Sequence, residues 1–203
     1  SQITGNSGSN VPFTTCTFGS GGMGSVLLSG THTVLYDGAT QLSSVPPAAV
    51  VIDVPDITGQ KTLYALLNNY FGSAGENEYT LTVNFTEGNP VTFSAIGGID
   101  TRDFWRNPAT TNSIGANTTT WWSNFSSPSV AYSRLDVRQF DISAYSNRTV
   151  TSVTLTQVHP KDSAMLSGLT FTTNAMGVLP NLDPDANTPA PTITSATYDT
   201  ASG

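Results

Sequence analysis

The residue types best suited to chemistry are concentrated in one stretch, AIGGIDTRDFWRNP, at residues 95–108. It contains Asp100, Arg102, Asp103 and Trp105, in a chain of which only 10% of the residues are charged. A guanidinium group can bind two oxygens of one ligand, and an indole ring can stack on the apolar face of a sugar. The two glycines at its start permit a sharp exit from a strand or a close approach of the backbone. The stretch is therefore a candidate ligand-binding loop.

A structural role for the same charges is the alternative. A later segment, SRLDVRQFD at residues 133–141, has the complementary charges of Arg134 and Asp136. We expect Arg102 or Asp103 to pair with one of these two residues and fix the loop to a neighbouring strand. We favour this role for the charged residues and the ligand role for the aromatic ones. The predicted structural pin consists of Asp100, Arg102, Asp103, Arg134 and Asp136.

All three tryptophans flank one polar stretch between Arg106 and Phe125. The stretch shows little strand pattern and is rich in Asn and Thr, and a loop of this length is often functional. Adjacent side chains of an extended chain point to opposite faces, so we expect one of the neighbouring tryptophans in the core and the other exposed. The alternative is a plug that covers one end of the fold. The predicted ligand-binding residues are Trp105, Trp121, Trp122, Arg106 and Asn112.

Calcium is a candidate cofactor, because it binds carboxylate and carbonyl oxygens and the chain has a net charge of −7. The candidate ligands are Asp37, Asp53, Asp183 and Asp185. None belongs to a DxDxDG pattern, and ordinary turn aspartates are the alternative. The pair in NLDPDAN suggests a calcium ion that stiffens a linker.

Several classes of function are disfavoured. Seven Lys and Arg residues cannot supply the basic surface that nucleic acids require, and no apolar run is long enough to span a membrane. His32, His159 and Cys16 are not near one another in sequence, and GxSxG and HExxH motifs are absent. We therefore expect a non-catalytic protein that neither binds nucleic acid nor inserts into membranes.

The hydrophobic pattern predicts an all-β fold. Tyr79, Leu81, Val83 and Phe85 alternate with polar residues and precede an EGN turn and a second alternating run to Ala95, which predicts a hairpin. KTLYALLNNYFG is predicted as a strand rather than a short helix, and AAVVIDV as a buried strand. In the segment 134–142 the alternation slips by one residue between Val137 and Phe140, which suggests a β-bulge. Many short strands separated by turn signals are typical of a sandwich.

The ends of the chain differ from this pattern. Residues 1–25 are predicted as a flexible lead-in or a late-docking strand, 26–174 as the β-sandwich, and 175–191 as a Pro-rich extended linker. The tail, PTITSATYDTASG, resembles the opening of immunoglobulin-like repeats in large bacterial surface proteins. This resemblance implies that residues 192–203 begin a following repeat of a longer parent chain.

The main domain carries a second, looser resemblance. NNYFG at 68–72, GGIDTRDF at 97–104, RLDVRQFD at 134–141 and LSGLT at 166–170 occur together in bacterial extracellular domains of the galactose-binding jelly-roll type. The resemblance implies a jelly-roll β-sandwich at the cell surface, in an adhesin-type protein, with neighbouring repeats of the parent chain as partners. The expected function is adhesion through carbohydrate or another surface ligand. The alternatives are self-assembly by strand addition and, third, a glycan-active enzyme.

Overall fold

The structure, a computed structural model, describes residues 26–27, 35–37, 40–42, 49–70, 72–106, 113–127, 130–160 and 163–179. The predicted lead-in at 1–25, the tail at 192–203 and most of the linker lie outside these residues. The strands are β1 Val26–Leu27, β2 Leu35–Asp37, β3 Thr40–Leu42, β4 Ala49–Ile57, β5 Thr62–Tyr70, β6 Asn77–Phe85, β7 Val91–Ile96, β8 Trp105–Arg106, β9 Thr118–Ser123, β10 Tyr132–Asp141, β11 Val150–Gln157 and β12 Ser163–Thr172. One 3₁₀ turn, Ser143–Tyr145, follows β10. The predicted all-β class is confirmed, and β5 is a strand as expected.

Two antiparallel sheets pack face to face as a sandwich, consistent with a jelly-roll-like fold. Sheet I has the strand order β4-β11-β6-β7. Sheet II has the order β1-β12-β5-β10-β8, and β9 also pairs with β10. In the part of the chain described here, no helix is long and apolar enough to cross a membrane.

The core between the sheets follows from strand alternation. Tyr79, Leu81 and Val83 of β6 point inward and are fully buried, and they meet Leu63 and Leu67 of β5. Burying side chains of this size contributes about 1.5–3 kcal/mol each. The predicted hairpin is present, with Tyr79 opposite Ala95 in the β6–β7 pair.

Strand β4 differs from its prediction as a buried strand. It lies at one edge of sheet I, and its side chains alternate between exposed and half-buried positions. Val51 is 61% exposed, while Val50 and Ile52 pack against the core. The apolar residues of β4 therefore alternate between the solvent-exposed face and the core-facing side of sheet I.

The predicted bulge also lies elsewhere. From Val137 to Asp141, β10 pairs with β5 in an uninterrupted register. Val137 and Phe140 point to opposite faces of the sheet, and both faces are covered there, so the apparent slip reflects two apolar environments. The register shift occurs instead against β9, between Leu135 and Asp136.

Candidate functional site

The charged stretch at residues 95–108 is inserted into a fork of sheet II, the point at which two of its strands separate. Strands β5 and β10 pair as far as Leu66 and Val137, and residues 101–106 then lie between them. On one side, Asn69 N donates to Arg102 O at 2.9 Å and Phe104 N donates to Asn69 O at 2.8 Å. On the other side, the N–H of Arg134 donates to Phe104 O at 2.8 Å. The stretch thus continues the sheet instead of forming a free loop.

A fully buried ion pair holds this insertion. Arg102 Nε donates to Asp136 Oδ2 at 2.7 Å, and Arg102 Nη2 donates to Asp136 Oδ1 at 2.9 Å. Arg102 Nη2 also donates to Thr120 Oγ1 at 2.8 Å. Both side chains of the pair have no solvent exposure. The structure therefore brings together Arg102 and Asp136, one of the combinations that the complementary charges allowed.

Asn68 lies at the point where strands β5 and β10 separate. Its Oδ1 accepts the N–H of Asp136 at 2.9 Å, and its Nδ2 donates to Asp136 Oδ2 at 2.9 Å. The side-chain amide therefore satisfies a backbone donor that the missing strand contact would leave unpaired. This role of Asn68 was not predicted from the sequence. A signal was present, because two consecutive amides interrupt an otherwise apolar strand at Asn68 and Asn69.

A second ion pair lies between the two sheets. Arg138 Nη2 of β10 lies 3.0 Å from Asp100 Oδ1 and donates to the Ser94 carbonyl of β7 at 2.9 Å. Its guanidinium group stacks over Phe140, 4.6 Å from the ring centroid. Asp100 Oδ2 accepts the N–H of Ile96 at 3.0 Å. Arg138 thus ties β10 to β7 across the sandwich, a role that sequence analysis did not predict.

The other two pin residues also make internal contacts. Asp103 Oδ1 accepts the N–H of Trp105 at 2.8 Å, and Arg134 Nε donates to the Asp103 carbonyl at 3.0 Å. Arg134 has no solvent exposure and Asp103 has 5%. The structure therefore places all five predicted pin residues in internal polar contacts, and these contacts fix the backbone that leads into Trp105.

Tyr79 lies beside this network, and the pH dependence of folding stability tests its burial. Burial raises the pKa of Tyr79 from 10.0 to about 12, while the nearby Arg138 cation and the Thr101 hydroxyl oppose the rise. A raised pKa favours the protonated phenol in the folded state. This contribution to stability is complete below pH 10 and declines between about pH 10 and 12, at about 1.4 kcal/mol per pH unit. We expect urea midpoints measured from pH 9 to 12 to fall more steeply for the native chain than for Tyr79→Phe. Parallel curves would contradict the assignment.

The tryptophans have three different environments. Trp105 is 42% exposed, Trp122 is half-buried and Trp121 is 2% exposed. Trp121 and Trp122 belong to one cluster with Leu66 and Val137, on the face of sheet II opposite the main core. Trp121 is the extra residue at the β9–β10 register shift, because Leu135 pairs with Trp122 and Asp136 with Thr120.

Three expectations for this region need correction. Residues 118–123 of the predicted long loop form strand β9. The neighbouring tryptophans do not divide between core and solvent on opposite faces, because the irregular register lets both join one cluster. Trp121 is buried and offers no surface on which a ligand could stack.

The other two predicted ligand residues are Arg106 and Asn112. Arg106 is half-buried, and its guanidinium lies 5.9 Å from the centroid of the Tyr132 ring. Asn112 lies outside the described residues. Phe125, 38% exposed, contacts the same Tyr132 ring edge-on at 5.2 Å between centroids.

The calcium candidates are not brought together in the described part of the chain. Asp53 lies on the exposed side of β4, and Asp37 lies in β2 opposite Thr40. Asp183 and Asp185 are outside the described residues. Among the residues that the structure describes, no group of three His, Cys, Asp or Glu side chains could hold a metal ion.

Comparisons of the chain with protein-family models, with curated proteins and with solved structures find no match.

Proposed function

We propose that this domain is a non-catalytic binding module that holds a carbohydrate or another surface ligand against Trp105, in an extracellular adhesion role. The observation that supports it most is the exposure of this ring on a fixed backbone. Trp105 is 42% exposed, although its own N–H is bound by Asp103 and it pairs with Ser133 across β8–β10. A binding residue whose backbone is already fixed loses less conformational freedom on binding than one on a mobile loop.

The burial of the neighbouring charged residues favours a binding role over a catalytic one. Arg102 and Asp136 are fully buried and satisfy each other, so neither presents a reactive group to solvent. Within residues 101–106, Trp105 is the exposed residue. One stacked ring with a few exposed hydrogen bonds gives about 4–6 kcal/mol, or high-micromolar to millimolar affinity. A surface protein can work at this strength through multiple copies.

A glycan array tests the proposal, and running it with and without calcium also tests the proposed role of calcium. We expect the native chain to bind at least one class of glycan, and Trp105→Ala to weaken that binding about tenfold or more, which is 1.4 kcal/mol. Val51→Ala, an exposed apolar change on the other sheet, is the matched control and should bind like the native chain. Acrylamide should quench a fluorescence component that Trp105→Phe lacks. Equal binding by Trp105→Ala would refute the role of this ring.

A second candidate function is self-assembly by strand addition, and strand β4 favours it. Among the strands described, β4 pairs only with β11, so its other edge has no strand partner in this set. Backbone groups on such an edge can pair with a strand from another chain. Sedimentation of the native chain over a range of concentrations distinguishes the two. Concentration-dependent oligomers that Val51→Lys or an added proline in β4 abolishes would favour assembly.

A further inference from the structure

On the outer face of sheet II, Trp105 belongs to a row of side chains that extends to Trp122. Trp105 is opposite Ser133 in the β8–β10 pair, and Trp122 is opposite Leu135 in the β9–β10 pair. Cross-strand partners project to the same side of a sheet, and so do Ser133 and Leu135, which are two residues apart. Trp105 and Trp122 therefore project from the same face, on either side of β10.

The opposite face of these strands is the one that carries the charges. Arg134 and Asp136 alternate with Ser133 and Leu135 along β10, and both are fully buried. Arg106 pairs with Tyr132 and lies against that ring, so its charge also belongs to the inner side. Trp105, Ser133, Leu135 and Trp122, which form the row, carry no formal charge. The Asp103 carboxylate beside Trp105 is 5% exposed and accepts the Trp105 N–H. The row therefore suits a neutral ligand better than a charged one.

The backbone positions of the two tryptophans are farther apart than the length of one sugar. Strands lie about 4.8 Å apart and rise about 3.4 Å per residue, which places the Cα atoms of Trp105 and Trp122 about 12 Å apart. Asn124 directly follows the end of β9 and is exposed; its Oδ1 accepts the N–H of Ser133 at 2.7 Å. Within the described part of the chain, no acceptor is bound by its Nδ2, which can donate to a ligand hydroxyl.

Trp122 is held in place, which makes it a suitable second contact. It packs against the cluster of Trp121, Leu66 and Val137, and these three are 0–3% exposed. A half-buried ring with a packed back surface keeps its orientation when a ligand contacts its open side. The arrangement therefore has a ring on a fixed backbone at one end, a packed ring at the other, and the exposed amide of Asn124 beside them.

We propose that the ligand of this face is a neutral linear polysaccharide that lies across β10 and contacts Trp105 and Trp122 with different sugar units. The proposal rests on the proposed function and narrows it from any surface ligand to an internal segment of about three or more linked sugars, given the spacing of the rings. Apolar sugar faces suit the two rings, and hydroxyls between them suit Asn124. A terminal monosaccharide would contact only one ring.

The test starts with affinity electrophoresis of the native chain in gels that contain soluble neutral polysaccharides: mixed-linkage β-glucan, xylan, mannan and α-glucan. Mono- to hexasaccharides of whichever polymer retards the protein are then titrated by calorimetry. We expect the hexasaccharide to bind about tenfold or more tightly than the monosaccharide, a difference of 1.4 kcal/mol. Trp105→Ala should weaken both, and Trp122→Ala should weaken the hexasaccharide alone. Phe125→Ala, an exposed aromatic change that faces Tyr132, should alter neither.

A measurement on the native chain covers the case in which Trp122→Ala does not fold. In a ¹H–¹⁵N spectrum, the hexasaccharide should shift the indole Nε1 resonances of Trp105 and Trp122 by more than that of buried Trp121. Binding with no dependence on chain length, and with the Trp122 resonance unmoved, would overturn the extended ligand and leave the single-ring function standing. No retardation by any polymer together with an empty glycan array would overturn both the polysaccharide and the carbohydrate-binding form of the proposed function. Binding of peptides alone would overturn the polysaccharide and leave Trp105 as a contact for another surface ligand.

Discussion

Arg102→Ala is expected to lower the free energy of unfolding by about 3–5 kcal/mol, because it leaves the buried Asp136 carboxylate without its cation. Asp136 accepts hydrogen bonds from two guanidinium nitrogens and from Asn68, and it has no solvent exposure. Since domains of this size are typically stable by about 5–15 kcal/mol, the change removes a large share of the total. Urea denaturation followed by tryptophan fluorescence measures it directly.

Two further variants separate the charge effect from a loss of packing. Arg148→Ala is the matched control, because this arginine lies over Phe85 and Tyr145 and donates to the Asn89 carbonyl in an exposed setting. It should cost less than about 1 kcal/mol. The double change Arg102→Met with Asp136→Leu removes both charges and should recover part of the loss. A midpoint for Arg102→Ala equal to that of Arg148→Ala would show that the pair contributes nothing.

The fold class was predictable because the strands that form the core show a simple alternation. Tyr79, Leu81 and Val83 give the same pattern in the sequence as in the sandwich, with every second side chain buried. The alternation of apolar and polar residues gave a wrong prediction for β10, because sheet II is covered on both faces there. Val137 and Phe140 are both apolar although they face opposite ways, so their spacing imitates a slip in register.

The candidate site was predictable in composition but not in detail. Complementary charges pointed to a contact between residues 100–103 and 134–136, because few other charges are available in the chain. The partner of each charge could not be assigned, since it depends on where β5 and β10 separate. Asn68 was missed because its role arises only at that separation. The two consecutive amides mark a polar interruption of the strand, but they do not show which backbone group is satisfied. Trp121 was wrongly placed among the ligand residues, because the register shift against β10 is not encoded in the local pattern of β9.

Gly97→Ala is expected to be the other severe substitution, with a loss of about 3 kcal/mol or more. Gly97 follows β7, and its N–H donates to the Glu76 carbonyl at 2.9 Å while its carbonyl accepts the N–H of Gly75 at 2.9 Å. A methyl group at this position would overlap the Ser73 carbonyl oxygen and the Glu78 carboxylate. Glu78 is fully buried and accepts the N–H of Ser73 at 2.6 Å, so the obstacle cannot swing away into solvent. Removing the clash requires the backbone of the 73–78 turn to move.

Two further glycine variants separate the steric clash at Gly97 from the effects of an added methyl group and of backbone strain. Gly177→Ala adds a methyl group with nothing within 4 Å and should be neutral. Gly75→Ala also meets nothing within 4 Å, but its φ of 81° imposes the left-handed strain of about 1–2 kcal/mol. The expected order of destabilisation in urea is Gly97→Ala, then Gly75→Ala, then Gly177→Ala. If Gly97→Ala unfolds at the same urea concentration as Gly177→Ala, the close approach of this backbone to Ser73 and Glu78 is wrong. The entry into the inserted stretch that presents Trp105 would then need another explanation, because Gly97 is the residue at which the chain leaves sheet I for that stretch.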